Sequence, residues 1–409
     1  MIKILMKSIR EYKRDSILTP FFVSLEVVME VIIPLLMAML IDYGIDGKDL
    51  GYIWRMGIFL VVSAMISLLF GALSGKFAAS ASAGFAKNLR KDMYYNVQNF
   101  SFANIDKFST ASIVTRLTTD ITNVQNSYQM IIRMAVRSPI MLIFSMIMAF
   151  GINVRMACIF LCAIPILGVG LWLIMTRAHP IFERVFNTYD KLNNVVQENL
   201  HGIRVVKSYV REEHEDGKFK KISGSIYSDF SKAEKLLAFN MPLMQFCMYA
   251  CMLLVSWFGA RAIIASGNNP AAGMSTGQLM SLITYAMQIL MSLMMLSMVF
   301  VMITMSRASA ERIVEILTEE SSLKNGEQPI MEVKDGSVEF RDVNFSYADD
   351  EHKLCLKDVN LKIKSGETVG IIGGNGAAKT TLVQLIPSLY DVTSAILLVG
   401  GTDVRSSEL

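Results

Sequence analysis

Long apolar stretches punctuated by short polar breaks dominate the first three quarters of the chain. A helix crossing a bilayer core needs about 20 predominantly apolar residues. Six stretches qualify: about Ile17 to Ile41, Tyr52 to Ala78, Pro139 to Ile152, Met156 to Ile174, Met241 to Ala265 and Leu279 to Met305. Short breaks, at Asp42 to Gly51, Asn153 to Arg155 and Ser266 to Gly277, separate the members of each consecutive pair. The other two connections, about Ser80 to Ser138 and Thr176 to Asn240, are long and polar. They keep helical spacing, as in Phe85–Leu89–Met93 and Val195–Asn199–Ile203, with few Gly or Pro. They are therefore expected to be spanning helices that continue well beyond the bilayer.

Beyond Met305 the pattern changes. Ser306 to Glu320 is charged and helical in spacing, and Ser321 to Gly336, with Asn-Gly and Pro329, predicts a linker. Val338–Phe340, Val343–Tyr347 and Leu356–Ile363 read as strands, and Glu367 to Ile372 as a buried strand. The predicted domains are 1–320, a six-helix transmembrane domain with long cytoplasmic extensions; 321–336, a linker; and 337–409, the beginning of a soluble α/β domain.

Composition agrees. Of 409 residues, 53% are apolar and 18% charged, and the mean hydropathy is +0.42, which disfavours a soluble enzyme. A net charge of +3 gives no case for nucleic acid as a partner. Within the spanning part, up to Met305, the two long connections hold most of the basic residues, among them Arg90, Arg116, Arg133, Arg137, Arg204 and Lys221. The positive-inside rule then predicts both long loops and both termini in the cytoplasm. The basic start, followed by an apolar run too long for an h-region, does not read as a cleavable signal peptide. Five cysteines make no disulfide framework. The pairs Cys158/Cys162 and Cys247/Cys251 are expected at helix-packing positions rather than in a metal site.

One segment carries recognisable chemistry. The predicted strand Thr368–Ile372 runs into Gly373, Gly374, Asn375, Gly376, Ala377, Ala378, Lys379, Thr380 and Thr381, and a helical pattern follows. Strand, glycine loop, Lys-Thr and helix is the arrangement in which backbone N–H groups surround phosphate oxygens. Lys379 would reach the terminal phosphates and the Thr380 hydroxyl would bind Mg²⁺. Ala378 stands where the G-x-x-x-x-G-K-[ST] pattern has glycine, and weaker phosphate binding is expected if the backbone there needs a positive φ. Tyr347, just after a strand, is a candidate to stack on an adenine ring. Inside the first span, Glu26 and Glu30 lie one turn apart. Intramembrane carboxylates are costly and mark a functional hypothesis. They would face a transport cavity and favour cationic substrates, or be satisfied by a neighbouring helix, or lie near the cytoplasmic boundary. Pro34 and Pro165 are expected to kink their helices. A methionine series, Met287, Met291, Met294, Met295, Met298, Met302 and Met305, is expected to serve mostly in packing, with an adaptable binding surface as the alternative.

Six spans with two long cytoplasmic extensions ahead of a phosphate-binding loop resemble the half-transporters of the ATP-binding cassette exporter family, of bacterial multidrug type. Phe102–Ser109 and Thr115–Asp120 look like the family's first cytoplasmic loop, Glu198–Tyr209 like its second, Val343–Tyr347 like its adenine-stacking segment, and Gly373–Thr381 like its Walker A loop. The resemblance implies a multi-pass α-helical membrane domain followed by the N-terminal part of an α/β P-loop nucleotide-binding domain. It implies ATP and Mg²⁺ as cofactors, and a homo- or heterodimer with a second half-transporter. It also implies a small amphipathic substrate moved across the cytoplasmic membrane, and short helices near Ser101–Thr110 and Val205–Phe219 that transmit motion. Ser394–Ala395 replaces the family's usual Ser-Gly. The 30 residues after Lys379 contain neither signature motif nor Walker B carboxylates, so this polypeptide alone is expected neither to hydrolyse ATP nor to hold nucleotide stably. A non-catalytic membrane protein or assembly partner is the alternative.

Overall fold

The computed structural model describes residues 1–269, 273–323, 330–347 and 353–407. Part of the predicted linker, residues 324–329, lies outside the described residues. In chain order the helices are α1 (Ile2–Lys7), α2 (Lys13–Met39), α3 (Leu50–Gln98), α4 (Phe102–Phe108), α5 (Thr110–Thr115), α6 (Ile121–Ile152), α7 (Val154–Ser208), α8 (Glu212–Ala238), α9 (Asn240–Ser266), α10 (Thr276–Thr318) and α11 (Lys379–Leu385). The strands are β1 (Val338–Phe345), β2 (Leu356–Ile363), β3 (Ser394–Val399) and β4 (Thr402–Asp403). Six helical stretches are long and apolar enough to cross a membrane: Arg10–Ile45, Leu50–Gln98, Thr110–Ile152, Val154–Ser208, Glu212–Ser266 and Thr276–Thr318. All six predicted spans fall inside them, and the long connections are helical as the spacing predicts.

The chain forms two compact units. One comprises 12–82 and 127–304; the other comprises 1–11, 83–126 and 305–409. In the first unit a large core gathers Phe160 and Leu167 of α7, Cys247, Cys251 and Val255 of α9, and Leu282, Ile289 and Leu290 of α10. Cys247 and Cys251 thus sit at packing positions, whereas Cys158 and Cys162 are exposed, contrary to expectation. They lie on a face of α7 that no other described helix covers. The short break expected between the third and fourth spans falls at Asn153. Its backbone is extended, and its side chain caps α7 by accepting from the N–H groups of Arg155 and Met156.

The helix α2 contains Pro34, which lacks the N–H that would bond the carbonyl of Glu30. The side chains of α10 meet this weak point. Gln288 Nε2 donates to the Glu30 carbonyl at 3.4 Å, the Tyr285 hydroxyl to that of Val31 at 2.8 Å, and the Ser281 hydroxyl to that of Pro34 at 2.5 Å. Gly277 lets the two helices approach: a Cβ there would lie 2.3 Å from the Ala38 carbonyl oxygen. Asp42 closes the end of the pair, accepting from the Gly277 N–H at 2.8 Å and the Ser275 hydroxyl at 2.5 Å. In lipid, backbone groups freed by proline must be satisfied within the protein.

In the second unit the last turns of α10 are clasped by polar groups. Asp120 is 1% exposed and receives Arg312 Nε at 2.7 Å and the Ser309 hydroxyl at 2.8 Å. Arg116 reaches Glu315 at 2.7 Å, Lys107 reaches Glu319 at 2.8 Å, and Asn96 donates to the Ile316 carbonyl at 2.6 Å. The sheet order is β2-β1-β3-β4, all antiparallel, over a small core of Phe340, Val343, Phe345, Leu385 and Leu397.

Two expectations fail. Thr368–Ile372 is not a strand: it has no sheet partner among the described residues, and Ile372 is 98% exposed. A strand is stabilised by neighbours on its edges, and apolar sequence alone cannot supply them. Nor does Val205–Phe219 hold a separate short helix. Helix α7 ends at Ser208, Val210 turns with φ of 52°, and α8 starts at Glu212. The first loop does hold one, α4, started by a capping box between Ser101 and Asn104.

Because Tyr285 is fully buried and bonded to a carbonyl beside the proline, Tyr285→Phe is expected to cost about 1 kcal/mol. A fall in the thermal midpoint of the detergent-solubilised protein, absent in Thr284→Ala on the exposed side of the same helix, would be the result.

Candidate functional site

The loop from Gly373 to Ala378 lies at the surface, with Gly374 and Gly376 open to space on their Cβ sides. It curls over its own lysine. Lys379 Nζ donates to the carbonyl of Gly373 at 2.8 Å and of Gly374 at 2.7 Å. Ala377 N–H closes a turn onto the Gly374 carbonyl at 3.3 Å, and Asn375 is exposed at the tip. Helix α11 starts at Lys379, with Ala378 as its N-cap. The Thr380 hydroxyl is on the exposed side, while Thr381 is 7% exposed and faces Tyr347, whose hydroxyl lies 3.0 Å from its own. The structure therefore brings Tyr347 and the Gly373–Thr381 loop to one place. Tyr347 is 48% exposed, leaving part of its ring open for stacking. This arrangement fits a nucleoside triphosphate with Mg²⁺: an ammonium inside a backbone loop, an exposed threonine hydroxyl and an accessible aromatic ring. The loop and Lys379 would hold the phosphates, Thr380 the cation and Tyr347 the base.

The backbone explains the cost of the two alanines. Ala378 has φ of 53° and Ala395 has φ of 76°. Both are left-handed, a region where a Cβ costs roughly 1–2 kcal/mol per residue. Glycine in either place would carry no such penalty.

Sequence reasoning missed Tyr390. Its ring meets Tyr347 edge-on at 5.1 Å and Phe345 at 5.8 Å, and it lies 6.1 Å from Phe102 of α4. Its hydroxyl donates to Asp106 of α4 at 2.7 Å. Burial first, and then the Asp106 carboxylate, push the phenol up to about 12. It stays a neutral donor throughout the physiological range. An aromatic residue in a turn gives no sequence signal for such a contact.

The second cluster lies in the membrane-spanning unit. Arg137 of α6, expected in a cytoplasmic loop, instead faces both carboxylates of α2. Its Nη1 is 2.6 Å from Glu26 Oε1, and its Nη2 is 2.7 Å from both oxygens of Glu30. Ser74 of α3 adds a hydroxyl to Glu26 at 3.3 Å, and Gly71 leaves the space that the Glu26 carboxylate fills. A readable signal existed: Glu26/Glu30 and Arg133/Arg137 are both i,i+4 pairs, which places like charges on one face of each helix.

The comparisons decide the family. The profile of the ABC transporter transmembrane region matches residues 16–309, and that of the ABC transporter matches residues 356–409. The chain belongs to the ABC transporter family. It is 32% identical over 380 residues to the ABC transporter ATP-binding protein YfiB of Bacillus subtilis, an alignment covering 93% of this chain and 65% of that protein. It is 28% identical over 407 residues to the ABC transporter ATP-binding protein Rv1273c of Mycobacterium tuberculosis, covering 99% and 69%. It is 24% identical over 367 residues to the ATP-dependent lipid A-core flippase of Saccharophagus degradans, covering 90% and 60%. The chain thus spans about two thirds of the length of these relatives.

This transporter chain should become more stable, by about 1 kcal/mol, on Ala378→Gly or Ala395→Gly, read as a raised thermal midpoint. Arg137→Met strands two carboxylates and is expected to cost roughly 3–5 kcal/mol. Adding Glu26→Gln and Glu30→Gln to Arg137→Met should recover most of that loss in the same unfolding measurement.

Proposed function

We propose that this chain is a half-transporter subunit of an ATP-driven exporter, moving small amphipathic compounds across the cytoplasmic membrane with both termini in the cytoplasm. It pairs with a second half-transporter, identical or related. The observation that carries this reading is the convergence of Tyr347, the curled loop and Lys379, in a chain with six helices apolar enough to span a bilayer. The relative named as a lipid A-core flippase supports an amphipathic substrate. The domain division follows the same reading: 1–320 in and beside the membrane, 321–336 as linker, and 337–409 as the start of the nucleotide-binding domain.

The roles divide accordingly. Gly373 to Ala378 and Lys379 hold the phosphates, Thr380 holds Mg²⁺, Thr381 fixes the Tyr347 hydroxyl, and Tyr347 stacks on adenine. When bound, the nucleotide supplies the free energy for transport. The Tyr390 bridge to Asp106 gives the loop helix α4 a side-chain link to the base-stacking residue. Glu26 and Glu30 hold Arg137, so they enter the transport path as a paired charge rather than as free anions.

Photocrosslinking with azido-ATP and Mg²⁺ tests the site. Label is expected on peptides containing Tyr347 or residues 373–381, falling at least tenfold in Lys379→Ala. Labelling indifferent to Lys379 would overturn the nucleotide reading.

A further inference from the structure

The membrane-spanning unit contains an arginine that its carboxylates leave over. Arg133 lies one turn before Arg137 on the same face of α6. Its Nε is buried without a hydrogen-bond partner, and its guanidinium makes no ion pair among the described residues. The acidic groups of the helices around it are already engaged. Glu26 and Glu30 hold Arg137, Asp15 accepts the Ser80 hydroxyl at 2.5 Å, and Asp42 caps α10. Gly75 of α3 adjoins the side chain: a Cβ there would be in ordinary contact, 3.6 Å from Arg133 Nη1. The flanking positions are apolar, with Ile132 buried against Ala78 and Ala81.

A guanidinium with its Nε buried and unpartnered has hydrogen-bonding capacity that an anion can meet. Depth narrows the choice. Arg133 precedes Ile152, the end of α6, by about 19 residues, or roughly 29 Å at 1.5 Å per residue. That is close to the ~30 Å thickness of a bilayer core, so Arg133 stands at the level of one headgroup layer. A ligand there has its charged end at the boundary and its apolar part in the hydrocarbon.

We propose that Arg133 is an anion-recognition residue, binding the phosphate or carboxylate head of an amphiphile where α6 faces α3. This deepens the exporter reading, on which the substrate's amphipathic character rests. It also reverses the sign expected from Glu26 and Glu30. Those carboxylates are occupied by Arg137, and the charge left free is positive. Guanidinium suits this head chemistry because it can donate two parallel hydrogen bonds to a phosphate or carboxylate.

Binding is measured on the full chain in uncharged maltoside micelles, with no nucleotide and no transport step, so failure here is separable from failure of the exporter reading. The probes are dodecyl phosphate, inorganic phosphate and dodecyltrimethylammonium, the two amphiphiles at equal mole fraction in the micelle. Dodecyl phosphate is expected to bind saturably and raise the thermal midpoint. Its affinity should fall at least tenfold in Arg133→Gln and recover in part in Arg133→Lys, with both variants retaining wild-type helicity. Inorganic phosphate should compete only weakly. Wild-type affinity in Arg133→Gln would overturn the proposal. Equal affinity for inorganic phosphate would assign the site to a free anion instead of an amphiphile. Preference for dodecyltrimethylammonium would return the charge logic to the carboxylates.

Discussion

The contact on which the membrane-spanning unit depends is the one between Arg137 and the two carboxylates of α2. Two carboxylates and a guanidinium brought together in a helical membrane domain are tolerated only when their hydrogen-bonding capacity is spent on one another. Here one guanidinium gives one nitrogen to Glu26 and the other to Glu30, while the Ser74 hydroxyl takes up a further Glu26 oxygen. Two small residues of α3, Gly71 and Ser74, let that helix come close to the cluster. The polar cluster therefore fixes the rotation of α2 and α6 against α3, which apolar packing alone would leave loosely specified.

The same demand for internal satisfaction recurs where Pro34 breaks the backbone ladder of α2. Three side chains of α10, spaced at i, i+4 and i+7, turn toward three carbonyls around the break. Pro34 is thus less an isolated kink than half of a joint between two helices. At the other end of α10, the buried Asp120 and its partners hold the helix by charge rather than by packing. A helix that leaves the apolar environment exchanges one kind of restraint for another.

In the nucleotide-binding part, the candidate loop is held together by its own backbone and by an aromatic group. Tyr347, Phe345 and Tyr390 meet edge-on, and the outermost of them bonds to α4. The position of the Tyr347 ring is in this way tied to a helix more than two hundred residues earlier in the chain. Two left-handed alanines show the opposite tendency: the fold keeps a backbone shape that favours glycine, even where glycine is absent.

How much of this was legible in advance depended on whether the signal was local. The six spans and their helical extensions follow from hydrophobic spacing, because helix hydrogen bonds close within four residues. The phosphate loop was legible for the same reason, its function residing in consecutive backbone groups. The strand expected at Thr368–Ile372 was not decided by its own residues, since a strand exists only beside another. Arg137 was assigned to a loop because cations were counted along the chain, whereas its role is set by which helix face it meets. Sequence by itself determined which segments are helical, which are apolar and where a phosphate could be cradled. Only tertiary structure decided which charges cancel and that Arg133 remains over, because pairing depends on distances between helices that no local pattern encodes.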